Sequence, residues 1–62
     1  MEQTIFCIQC YLEKEEKWSD TWFNDIEDYN EAFKILQYCK SNAPHRKYCL
    51  IKREIKTTLL SA

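Results

Sequence analysis

Sixty-two residues run without a single glycine. Glycine is the residue that takes a positive φ at no steric cost and lets backbone approach a ligand closely. Phosphate-cradling loops, nucleophile elbows and the dinucleotide fingerprint all depend on it. None of these can form here in its usual shape. Primed hairpin turns are likewise left to Asn or Asp. The absence removes several large enzyme classes before any other residue is considered.

Length supports one domain, residues 1–62. A chain this short buries only about 60% of the surface it exposes when unfolded, so its stability is marginal. Small scaffolds commonly add a metal, a disulfide, a second copy or dense packing. Four cysteines suit the first two routes, and nine aromatics suit the last two. The N-terminal residues lack a basic stretch followed by a long apolar run, so no signal peptide is expected. No segment has the ~20 apolar residues of a membrane helix. The expected location is the cytoplasm, where cysteines stay reduced.

Apolar periodicity divides the chain into four elements. Thr4 to Leu12 reads as a strand, with Phe6, Ile8, Cys10 and Leu12 on one face and Ile5, Cys7, Gln9 and Tyr11 on the other. The charged run 13–17, EKEEK, reverses the chain. Trp18 to Phe23 reads as a second, antiparallel strand, although Trp18 and Trp22 also match helical spacing. Asn24 to Asp28 is a polar connection. Asp28 and Glu31 are spaced as a capping box, opening a helix from Tyr29 to about Ser41. Its apolar stripe is Tyr29, Ala32, Phe33, Leu36 and Cys39, widened by Ile35 and Tyr38. Asn42 in a left-handed cap and then Pro44 should end it. Lys47 to Leu60 reads as a third strand, overhanging the sheet or bulging near Lys52–Glu54. The expected fold is α+β: a mainly antiparallel three-stranded sheet with one helix on one face, in the order β-β-α-β.

One helix covers one sheet face. The second face would hold some of Ile5, Cys7, Tyr11, Trp18, Trp22, Tyr48 and Leu50, either folded into the monomer core or open to a partner. Aromatic residues dominate binding hot spots. Tyr11, Trp18, Trp22 and Tyr48 are therefore the candidate partner-binding residues, and a homodimer or a bound protein is expected there.

Other constellations are thinner. Cys7, Cys10, Cys39 and Cys49, with His45, are the available metal ligands. Only the first pair has knuckle spacing, and in a regular strand Cys7 and Cys10 point to opposite faces. Buried free cysteines acting as small apolar residues are the plainer reading, and no metal or cofactor is expected. A redox pair would sit at a helix N-terminus, not inside a strand. His45 is the single histidine and lies in a loop, without a partner for acid–base work. No enzyme activity is expected. Arg46, Lys47, Lys52 and Arg53 form a basic set that could hold phosphates, with Tyr48 stacking a base. Lysines on a sheet edge that prevent stray pairing account for the same residues.

Charge is strongly divided. Residues 1–31 carry a balance of −7 and residues 32–62 a balance of +6, although the whole chain is −1. The halves either attract each other or form an acidic and a basic surface. A general nucleic-acid binder is normally basic throughout.

The order Trp22-Phe23, an acidic stretch, Glu31-Ala32, then Tyr48, Leu50, Lys52 and Arg53 resembles a loose class of very small bacteriophage proteins. In these a hairpin ending in aromatics is followed by a helix opened by Glu-Ala and a last strand of Tyr-x-Ile-Val-Lys-Arg type. The resemblance spans about residues 18–56. The four cysteines and the lack of glycine depart from it. It implies a non-catalytic accessory protein, in the host cytoplasm, that inhibits or modulates a host protein or a defence system. The alternatives are an oligomer that binds a nucleotide signal or nucleic acid, and a small structural zinc module.

Overall fold

The computed structural model describes residues 2–61. The elements are β1 (Glu2–Leu12), β2 (Lys17–Asp20), α1 (Tyr29–Asn42) and β3 (Tyr48–Lys56). The three strands form one sheet in the order β2-β1-β3, antiparallel throughout. With α1 on one face, this is the expected α+β, β-β-α-β arrangement.

β1 is the central strand, and its alternation organises the packing. Ile8 is fully buried and joins Ile26, Ala32, Leu36 and Cys39 in the core beneath the helix, with Phe6, Ile35, Tyr48 and Leu50 packed at its margin. The helix opens as its sequence implies. The Glu31 N–H donates to Asp28 Oδ2 at 2.9 Å, satisfying one of the donors that a helix start leaves free.

Five features differ from the sequence reading. β2 stops at Asp20, not Phe23. There both the N–H and the hydroxyl of Thr21 donate to the Ile8 carbonyl, at 3.1 and 2.8 Å, and the Phe23 N–H donates to Thr21 Oγ1. The side chain competes with the ladder and bends the strand. The connection that follows is not wholly polar, because Ile26 is buried and bridges Phe6. The third strand ends at Lys56, whose pairing with Glu2 is the last described, and Leu59 and Leu60 lie exposed beyond it. Its register with β1 is unbroken, so there is no bulge at Lys52–Glu54. Asn42 does not take a left-handed cap. It is the last helical residue, its Nδ2 donates to the Tyr38 carbonyl, and Ala43 caps with φ −138°.

The one positive φ among the described residues is at Glu16, at 52°. It closes the Glu13–Glu16 reversal, in which Glu15 and Glu16 donate back to Leu12 and Glu13. With no glycine to offer, the chain places a glutamate in the left-handed region.

Candidate functional site

The register carries the sheet's two faces. Helix-side residues of β1 pair with helix-side residues of β3: Phe6 with Lys52, Ile8 with Leu50, Cys10 with Tyr48. The open face has Ile5 beside Arg53, Cys7 beside Ile51, Gln9 between Cys49 and Asp20, and Tyr11 beside Trp18.

Of the four candidate partner-binding residues, two come together. Tyr11 and Trp18 pack edge to face, with ring centroids 5.3 Å apart, and Lys47 Nζ lies 5.7 Å from the Tyr11 ring. Trp18 remains 42% exposed. Tyr48 is elsewhere. It is half-buried on the helix-covered face, which removes it and Leu50 from the open-face set in which the sequence placed them.

Trp22 stands apart, 96% exposed. Its position has a structural cause. The Thr21 N–H donates to the Ile8 carbonyl, and the Ile8 N–H donates to the Phe23 carbonyl at 2.7 Å. Trp22 is therefore extruded between two residues that hold the same point on β1. Continuing the β1–β2 register would set Phe6 against Phe23, but Phe6 meets Ile26, three residues further on. The segment is a bulge of three extra residues, a device that re-aims a side chain. Around Trp22 lie Asp20, Thr21 and Asn24, which share a shallow cleft with it, and the exposed Asp25, Glu27 and Asp28 follow.

The open face is partly closed over Cys7. Arg53 on β3 reaches across β1 to Asp20 on β2, Nη1 to Oδ2 at 3.3 Å, and Gln9 Nε2 donates to Asp20 Oδ1 at 2.9 Å. Cys7 lies between them in the register, is 0% exposed and donates to the Asn24 carbonyl at 3.2 Å. Burial pushes its thiol pKa up, against the pull of Arg53. Such a thiol is a packed apolar group, not a nucleophile.

The remaining candidates do not converge. Cys7 and Cys49 belong to the open face, whereas Cys10 and Cys39 belong to the helix face, and all four are free thiols. Among the described residues no three His, Cys, Asp or Glu side chains are grouped to hold a metal. The basic set is also dispersed. Lys52 pairs with Glu54 on the helix side, Arg53 with Asp20 on the other side, and Arg46 and Lys47 sit in the loop before β3, near the hairpin end.

One surface was not read from the sequence. Phe6, Tyr29 and Phe33 form a line of rings with centroids 5.5 and 6.4 Å apart. They flank an apolar groove of about 720 Å³ between the first half of α1 and the floor made by Thr4, Leu50 and Lys52. The i,i+4 spacing of Tyr29 and Phe33 was the available signal. It also fits a fully buried stripe, and burial instead falls on Ala32, Leu36 and Cys39, with Tyr38 out in solvent.

No family model, curated protein or solved structure matches the chain. No helix among the described residues is long and apolar enough to cross a membrane.

Proposed function

We propose that this chain is a small non-catalytic binding protein that occupies a basic surface of another protein, with Trp22 as its anchor. The observation that carries the reading is the extruded, 96% exposed indole, beside Asp20 on an acidic segment. Nothing in the monomer's own packing needs that side chain, and a fully exposed tryptophan is a hot-spot residue without a pocket. Asp20 in the same cleft, with the exposed Asp25, Glu27 and Asp28 further along the segment, favours a partner that offers cations around an apolar slot. The Tyr11–Trp18 pair supplies a second aromatic contact on the open face of the same sheet.

The resemblance to very small phage proteins makes the partner a host enzyme or defence protein, inhibited by occupation of its surface. Four free thiols suit the reducing host cytoplasm.

The test is affinity measured on a named partner. The immobilised protein captures its target from bacterial lysate, the target is identified by mass and purified, and binding is measured for the parent chain and for Trp22→Ala. The substitution should leave the circular dichroism unchanged and weaken binding about 30-fold or more. Equal affinity of the two forms, or capture of nothing, would end the proposal.

A further inference from the structure

β3 is an edge strand with one side unused. Phe6 and Ile8 direct their backbone groups away from it, toward Ile26, Phe23 and Thr21. The odd-numbered residues of β1 therefore face β3, as Tyr11 does in donating to the Lys47 carbonyl. By the alternation of an antiparallel ladder, Cys49, Ile51, Arg53 and Ile55 bond inward to β1. Tyr48, Leu50, Lys52, Glu54 and Lys56 turn N–H and C=O outward. No backbone hydrogen bond from another element reaches these groups among the described residues.

We propose that a second copy of this chain pairs with this edge, β3 against β3, antiparallel about a two-fold axis at Arg53. The pairing uses the opposite edge of the sheet from β2 and Trp22, and it does not rest on the function proposed above.

The charges select the register. With Arg53 on the axis, Lys52 lies opposite the partner's Glu54 and Glu54 opposite the partner's Lys52, both on the helix side. On the open side Ile51 lies against the partner's Ile55, and symmetry repeats the contact. These isoleucines occupy non-hydrogen-bonded positions, where side chains approach most closely. Ile55 is 39% exposed in the single chain and would be covered. Moving the axis to Lys52 sets Lys52 against the partner's Lys52, and moving it to Glu54 sets Glu54 against the partner's Glu54. Like charges directly opposite destabilise a sheet. An axis at Ile51 leaves Lys52 facing the partner's Leu50, with no ion pair. An axis at Ile55 pairs Glu54 with the partner's Lys56 but overlaps only residues 54–56 of each strand.

Arg53 lies opposite its own copy at the axis, but its guanidinium is drawn back across β1 to Asp20, away from the partner. The same lysines that keep stray strands off an edge thus favour one alignment, the one with two ion pairs over residues 50–56. About eight backbone hydrogen bonds would join residues 50–56 of the two strands. The product is a six-stranded sheet with both helices on one face, an isologous dimer. The partner's strand extends the floor of the Phe6–Tyr29–Phe33 groove.

Sedimentation equilibrium and native mass spectrometry test this. The parent chain should be dimeric. Lys52→Glu and Glu54→Lys should each weaken self-association about tenfold or more. Both side chains are well exposed, so circular dichroism should stay unchanged. Mixed in equal amounts, the two variants should form a heterodimer of near-parent affinity, because each supplies the charge the other lacks. Should either variant fail to fold, the double charge swap Lys52→Glu with Glu54→Lys should dimerise like the parent. A monomeric parent chain overturns the proposal. So do a dimer indifferent to both single substitutions, a mixture that stays monomeric, and a double swap that loses the dimer.

Discussion

Asp20 shows how much this thin sheet asks of one carboxylate. Gln9 and then Arg53 hydrogen-bond it, and both hold its pKa below the ordinary aspartate value. A group with a depressed folded pKa contributes stability that is fully present above its unfolded value, about 3.9, and lost as pH falls through the folded value. Asp20→Asn should therefore lower the urea midpoint at pH 6 and make little difference at the acid end of the titration. Equal losses at pH 6 and at about pH 2 would show that Asp20 acts through shape alone. Cys7 is packed on the same face: its thiol donates to the Asn24 carbonyl, and its neighbour across the ladder is Ile51. A cysteine spacing that looks chemical in the sequence is, in the fold, one small apolar residue on each face of a strand.

At the level of elements, two local substitutions separate what the chain does well from what the lack of glycine costs it. Asp28→Ala removes the one side-chain acceptor at the start of α1 and should cost about 1 kcal/mol in chemical denaturation. Glu16→Gly should do the reverse. A left-handed non-glycine residue costs ~1–2 kcal/mol, and glycine's extra unfolded-state entropy costs ~0.5–1 kcal/mol. The difference favours glycine by about 0.5 kcal/mol, readable as a raised urea midpoint, and a lowered midpoint would contradict the strain. The helix start was legible because capping chemistry is confined to four consecutive residues. The alternation of β1 was legible for the same reason, and with it the opposite orientation of Cys7 and Cys10. The bulge was not, because it begins where the Ile8 N–H donates to the Phe23 carbonyl in place of the in-register Thr21, a long-range contact with no local signal. Ile26 was hidden too, one apolar residue among acids whose burial follows only from the bulge that carries it to Phe6. The candidate site was half legible. Composition pointed to Tyr11, Trp18 and Trp22. That Tyr48 faces the helix depends on the β1–β3 register, which a single strand's pattern does not contain.

The whole molecule is a plate. Its principal extents are 50 × 28 × 14 Å and its radius of gyration is 14.1 Å, against about 10.6 Å for a compact chain of this length. A thickness of 14 Å accommodates a helix on a sheet and no third layer, so one sheet face stays open whatever else the chain does. The division of charge along the sequence becomes a division across the plate. β2 and its flanking loops carry most of the carboxylates, β3 and the loop before it carry most of the cations, and β1, charged only at Glu2, lies between. Among the described residues two ion pairs join the halves, Arg53 with Asp20 and the looser Lys56 with Glu2 at 3.9 Å. Most of the opposite charges thus make no direct pair, and exposed charges that do not touch are weakened further by salt screening. The fold should accordingly be nearly indifferent to salt, with a Tm that moves by only about 2–3 °C between 0.05 and 0.5 M sodium chloride. Binding at the acidic, Trp22-bearing edge should respond differently, because partner and edge bring opposite charges into contact. Its association rate should fall about tenfold over the same range, with the dissociation rate much less affected. Tm by calorimetry and rates by surface plasmon resonance, taken on one sample series, read the two together. A fold that melts sharply earlier in salt would mean that the charge division serves internal cohesion. A salt-independent association rate would move the contact from the carboxylates to the aromatic pair of Tyr11 and Trp18.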